Sequence, residues 1–214
     1  MSSGSVSVGR REATKQANRA AILDAARDVF SEIGFGAATV RDVIRRTDLA
    51  AGTFYNYFPD KEAVLRAIVE EIATEVRARV RALRREATTV EDFVGGSFRA
   101  YVEFLVEDPR TFAFLRRNAG TIRTVHGEAS VGAGVEELQA DLEAGVAAGL
   151  LPEHDSHLLA AAMIGAGLEI GVRMLEREDV DVEAAVAFYA TAFVGALHAL
   201  GRARSSAPEP RPTG

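Results

Sequence analysis

Apolar residues recur at α-helical spacing along most of this chain, and nowhere do they alternate as a half-buried strand requires. Ile22, Leu23, Ala26, Val29, Phe30 and Ile33 share one helical face. Leu65, Ile68, Ile72, Val76, Val80 and Leu83 keep a second stripe going for about six turns. The pattern predicts an all-α fold, and the boundaries between helices are written in capping chemistry. Gly34 stands where a left-handed C-cap residue stops the first helix. Thr39 with Asp42 has capping-box spacing, and Val40, Val43 and Ile44 give the short helix behind it one buried face. Pro59 disfavours helix at Phe58, and Asp60 then reads as the N-cap of a new helix with Glu62 in its first turn. Thr89 with Asp92, and Asp108 with Pro109, mark two further starts, and another helix carrying Val131, Val135, Leu138, Leu142 and Val146 closes near Gly149. Two long apolar helices follow, over roughly 157–176 and 182–202.

Composition narrows the function classes. The chain has 214 residues and no cysteine, which excludes disulfides, thiolate catalysis and Cys-ligated zinc and suits a cytoplasmic protein. The first residues lack an apolar core, and no uninterrupted apolar run reaches about 18 residues, so neither a secretory signal nor a membrane partner is expected. The net charge of −6 argues against a protein that coats nucleic acid. That charge is uneven: residues 1–66 carry +2 and the remainder −8, which is compatible with local DNA binding at the N-terminal end. There is no P-loop, HExxH or GxSxG, so no catalytic residue and no cofactor is expected. His154 and His157 have a spacing that suits a metal, but Asp155 and Ser156 between them read as helix caps, and His126 and His198 stand apart, so no metal site is assigned.

The stretch AGTFYNYFPDK, Ala51 to Lys61, concentrates four aromatics in five residues of a chain that has four tyrosines and no tryptophan. On a helix from Ala50 to Phe58, Ala50, Phe54, Tyr57 and Phe58 fall on one face, and Ala51, Gly52, Tyr55 and Asn56 fall opposite, with Thr53 at the margin. The first face suits burial. The second is small and polar, and a helix of that kind after a tight break from another short helix is a helix-turn-helix pattern. Its second helix can enter the major groove: Ala51 and Gly52 allow close approach, Thr53 and Asn56 can hydrogen-bond bases or phosphates, and tyrosine hydroxyls and Lys61 suit phosphates. A solvated helix over core aromatics is the competing reading.

From Asn18 to Leu65 the chain resembles the TetR family of bacterial regulators, through the spacing of G-F, T-V-R-D-V and G-T-F-Y-N-Y-F-P-D-K-E. The resemblance implies a three-helix DNA-binding unit on an all-α ligand-binding body that dimerises, bound to a near-palindromic operator and released by a small molecule. It implies phosphate contacts for Thr39 and Arg41, recognition-helix contacts for Thr53, Tyr55, Asn56 and Tyr57, and a phosphate clamp at Lys61. The chain departs from the family pattern at Ala50-Ala51, where relatives often carry Lys or another polar residue. It departs also at Asn56, where His is common, and at Thr47-Asp48, where Ala-Gly is usual. Fewer cations on this helix shift the phosphate work towards Arg45, Arg46 and the arm with Arg10, Arg11, Lys15 and Arg19.

The expected organisation is an arm over 1–17, the helix-turn-helix domain over 18–64, an effector-binding and dimerisation domain over 65–203 and a disordered tail over 204–214. In the body, Phe98, Tyr101, Phe104, Phe112, Leu115, Asn118, Met163 and Glu169 are candidates to line a pocket for a hydrophobic or amphipathic effector, with plain core the alternative for the aromatics and an i,i+4 pair with Arg173 the alternative for Glu169. The last two helices are apolar almost all round and crowded with Ala and Gly, which suggests a four-helix bundle between two subunits. Ala162, Ala166, Ile170, Phe188, Ala192, Val194 and Leu197 are expected at that interface. The sequence thus reads as a homodimeric, ligand-responsive repressor of double-stranded operator DNA. The alternatives are a helical binding protein or enzyme whose N-terminal unit is only structural, and a non-specific architectural DNA binder.

Overall fold

The computed structural model describes residues 4–125 and 128–205 and is helical throughout, without a strand among the described residues. His126 and residues 206–214 of the expected tail lie outside them. The helices are α1 (Gly4–Ile33), α2 (Val40–Ile44), α3 (Ala51–Phe54), α4 (Lys61–Glu86), α5 (Ser97–Glu107), α6 (Pro109–Val125), α7 (Glu128–Ala147), α8 (Ser156–Glu176) and α9 (Val182–Ser205), with a wider π-helical turn, Asp92–Gly96, leading into α5.

The chain divides into two compact units, Met1–Ala73 with Asp108–His126, and Thr74–Glu107 with Gly127–Gly214. The first contains α1–α3, the start of α4, and α6, which packs along α1. Its core joins Ile22, Val29 and Phe30 of α1 with Val43 of α2, Phe54 of α3, Val64, Leu65 and Ile68 of α4 and Phe114 of α6, all fully or almost fully buried. Gly34 adopts φ +79°, a backbone state that side chains with a Cβ resist, and its N–H bonds the Phe30 carbonyl to close α1. The N-terminal end of α1 differs from expectation. The segment read as an arm is helical from Gly4, because Arg10–Asn18 contains neither Gly nor Pro and is rich in good helix formers that extend the packed part of α1 outward.

In the second unit α7 packs on α8, and α5 on α9 and α8. The Phe98 and Tyr189 rings stack at 3.8 Å and 8°, and Gly167 of α8 lies against that pair, where a Cβ would make ordinary contacts at 3.5 and 3.6 Å. The expected caps form. The side chains of Asp60, Thr89, Asp108 and Asp155 accept from the backbone N–H groups of Ala63, Asp92, Thr111 and Leu158, and Gly149 has φ +72° after α7.

The last two helices are the least enclosed. By length and composition alone Ser156–Glu176 and Val182–Arg202 would pass for membrane spans, although no uninterrupted apolar run does. Within the chain only 33% and 22% of their apolar windows is buried. Phe188 is 67% exposed, and Ala162 and Ala192 are exposed as well. Ala166, Ile170 and Val194 are half-buried. Leu197 is a correction to the expected interface set: it is fully buried inside its own chain and has no surface left to offer another.

Candidate nucleic-acid interface

The reading head is built from local chemistry. Thr39 caps α2 in a reciprocal box: Asp42 N–H donates to the Thr39 hydroxyl oxygen, while Thr39 N–H and hydroxyl donate to the Asp42 carboxylate at 3.0 and 2.6 Å. Those bonds, the Thr39 hydroxyl first, hold the Asp42 carboxyl below its usual range. The turn into α3 is made by Thr47, whose hydroxyl donates to the Ile44 carbonyl at 2.9 Å and accepts from Leu49 N–H at 3.2 Å. Thr47 therefore closes the turn through its side chain.

The α-helical part of the aromatic stretch is shorter than expected. It spans Ala51–Phe54, and hydrogen-bonded turns carry the chain on to Phe58, whose N–H reaches the Phe54 carbonyl at 3.0 Å. Pro59 and Gly52 within nine residues leave little room for propagation. The division of faces holds for the phenyl rings and the outer residues, but Ala50, expected on the inner face, is exposed. Phe54 and Phe58 are buried, at 0% and 5% exposure, whereas Tyr55 is 62% exposed. Ala51, Gly52 and Asn56 are exposed and Thr53 is half-buried. The Tyr57 hydroxyl accepts from the Asn18 amide of α1 at 3.2 Å, so Tyr57 ties α1 to the turn and leans between the two faces.

Three cations assigned to phosphates, Lys61, Arg46 and Arg19, are held by the protein itself. Lys61 Nζ donates to the Phe35 and Ala38 carbonyls at 2.9 and 2.8 Å and stands 4.5 Å from the Phe35 ring centroid. It clasps the α1–α2 loop through those carbonyls, an intrachain role beside the phosphate clamp that the resemblance implies. Arg46 makes a two-pronged ion pair with Glu32, and Arg19 pairs with Glu71 at 3.0 Å. Arg41 and Arg45 are exposed and make no ion pair among the described residues. Arg11 and Lys15 of α1 are likewise exposed and make no ion pair among the described residues.

The pocket candidates separate. Phe112, Leu115 and Asn118 belong to the first unit. Asn118 is buried, and its amide donates to the Phe30 and Phe114 carbonyls at 3.0 and 2.8 Å while its oxygen accepts from Phe35 N–H at 2.8 Å. A side chain so fully engaged locks the end of α1 and has nothing over for a ligand, which corrects its assignment to the pocket. Phe98, Tyr101, Phe104, Met163 and Glu169 belong to the second unit. Phe98, Phe104 and Met163 are buried, Tyr101 is half-buried, and the Met163 carbonyl accepts from the Tyr189 hydroxyl at 3.0 Å. Glu169 is exposed and pairs with Arg173 at 2.8 Å, the i,i+4 alternative. No cluster of three or more potential metal ligands occurs among the described residues.

Comparison with known proteins bears on the same region. The family described as "Bacterial regulatory proteins, tetR family" matches residues 22–68. The HTH-type transcriptional regulator UidR of Escherichia coli K12 is 38% identical over 66 residues, 31% of this chain and 34% of that protein. The A-factor receptor protein of Streptomyces griseus is 32% identical over 111 residues, 50% of this chain and 34% of its own. The chain thus spans about a third of the length of these curated relatives. A TetR-family transcriptional regulator from Pectobacterium atrosepticum superposes with a TM-score of 0.70 at 29% identity, over 88% of this chain and 96% of that one. RolR in complex with resorcinol shares the fold at a TM-score of 0.62 and 22% identity, over 94% of this chain and all of its own.

Proposed function

We propose that this chain is a regulator of the TetR family, ligand-responsive and DNA-binding, acting as a homodimeric repressor that a hydrophobic or amphipathic effector releases from a palindromic operator. The observation that carries the DNA-reading part is the separation of faces at residues 51–58. Phenyl rings are packed inward, and Tyr55 and Asn56 stand outward on a head capped by Thr39 and Asp42. Asn56 reads a base edge, Thr53 and Tyr55 contact the duplex beside it, and Arg41 and Arg45 hold phosphates. A second copy covers the exposed small-residue face of α8 and α9, a use of apolar surface that also accounts for two span-like helices in a regulator. Two-fold symmetry then sets the reading heads about one DNA turn, ~34 Å, apart. The relatives are transcriptional regulators, which points away from catalysis.

The effector acts by favouring one of two arrangements of the body, with α4, which supplies residues to both units, as the connecting element. The test is fluorescence anisotropy of the full chain on the duplex recovered by genomic footprinting, against a random duplex at fixed salt. Preference for the footprinted duplex by about 10³-fold or more is expected. Equal affinity for both duplexes would leave only a non-specific binder.

A further inference from the structure

We infer that the second unit takes an amphipathic organic anion, its acidic head paired with the Arg84 guanidinium and its apolar body against the aromatics Phe98, Tyr189 and Phe193. The inference rests on the effector-responsive reading above and assigns the chemical class of the effector. Its basis is a charge imbalance in an enclosed place. The Arg84 side chain, on α4, is 8% exposed, and Nε donates to Asp141 Oδ2 of α7 at 2.8 Å. Its remaining N–H groups meet no acceptor among the described residues. Asp141, itself 8% exposed, is shared: its Oδ1 lies 3.8 Å from Arg81 Nε, a buried nitrogen without a hydrogen bond. One carboxylate therefore faces two guanidiniums. The buried Arg81 Nε without a hydrogen bond is costly, and an incoming anion that shares the load on Asp141 relieves the cost.

The neighbouring phenols add to the case. Tyr101 keeps its hydroxyl without an acceptor among the described residues, and a Cβ at Gly171 would run into that hydroxyl, so the small residue is what accommodates it. Burial pushes the Tyr101 phenol well above its usual pKa and keeps it a donor. Tyr189 links the groups. Its ring stacks on Phe98, whose centroid lies 5.7 Å from that of Tyr101, and burial raises its pKa while Arg84 opposes that rise. Tyr189 spends its own proton on the Met163 carbonyl and presents its ring, stacked on Phe98 and 4.6 Å from the Phe193 centroid. Unspent donors beside stacked rings suit an acceptor-rich head on an apolar body. A carboxylate fits best, since the guanidinium can take both oxygens. A cation would meet the wrong charge, and a sugar would lack acceptors for its hydroxyls.

The experiment is calorimetry on the full chain with octanoate, 4-phenylbutanoate and their primary amides. Each carboxylate should bind at least about tenfold more tightly than its amide. The double variant Arg84→Met/Asp141→Leu removes both charges at similar volume; it should lose that preference and keep its amide affinity. Arg84→Lys, which retains a charge, should keep a reduced preference, and Tyr101→Phe should weaken carboxylate binding by about three- to tenfold. Equal binding of acid and amide, no saturable binding of any carboxylate, or a preference untouched in the variants would overturn the inference. Operator anisotropy separates this from the parent reading: a carboxylate that binds through Arg84 and leaves DNA affinity unchanged supports the anion site and defeats the effector role.

Discussion

The aromatics of the reading head and those of α9 make opposite use of the same side chains. At residues 54–58 a four-residue helix can stand only because Phe54 and Phe58 are driven into a core that α1, α2 and α4 complete within the chain. On α9, Phe188 is 67% exposed on a helix of 24 residues that needs no such anchor. An inward aromatic on a short element holds up the element, and an outward one on a long element is available to another molecule.

The largest expected effect tests that contrast directly. Phe54→Ala removes a fully buried ring and should cost about 3–5 kcal/mol in urea unfolding. Operator binding should go with it. Phe188→Asp should leave the chain folded, within about 0.5 kcal/mol when assessed under conditions where it is monomeric, and shift sedimentation from dimer to monomer. A Phe188→Asp chain that sediments unchanged would break the comparison, because the exposed ring would then be serving no partner.

Asn118→Ala is next. It leaves Phe35 N–H and the Phe30 carbonyl without their amide partner, at about 1–3 kcal/mol. Because those groups flank Gly34, the loss should reach DNA affinity as well as stability. A stability loss with intact affinity would confine Asn118 to packing.

The same residues explain what was legible in the sequence. Caps act over three or four residues, so Thr39 with Asp42, Asp60, Asp108 and Asp155 could be read from spacing alone, as could the two faces at 54–56. Asn118 works on partners 83 and 88 residues away, and no local pattern announces which amide a folded chain will bring to a helix end. Lys61 misled for a related reason. The resemblance implies a phosphate clamp there, but the carbonyls that hold it come from a loop 23 to 26 residues earlier. The first half of α1 lacks an apolar stripe, the signal by which helices are found, and its opening residues include Gly4 and Gly9, so its extent is not legible locally.

Asn56 and Lys61 sharpen the division between reading and supporting residues. Asn56→Ala should weaken the footprinted duplex by about 1–3 kcal/mol, relax preference at one base position and leave stability unchanged. Lys61→Gln should lower stability while leaving the salt dependence of the remaining DNA binding as it was. A salt slope reduced by about one would make Lys61 a phosphate contact after all.

The smallest effect concerns a cation the protein keeps from DNA. Glu32 holds Arg46 in a two-pronged pair on the surface, and the arginine's hydrogen bonds pull the Glu32 carboxyl below its ordinary value of 4.5. A lowered folded pKa means that the pair's contribution to stability is present above pH 4.5 and fades as pH falls through the lower folded value. Glu32→Gln should abolish that acid-limb component of the stability profile. It should also release Arg46 towards the duplex, raising random-duplex affinity modestly and steepening the salt slope by up to about one. If the slope does not change, Arg46 points away from the bound phosphates, and Arg41 and Arg45 alone carry the backbone contacts of this half of the head.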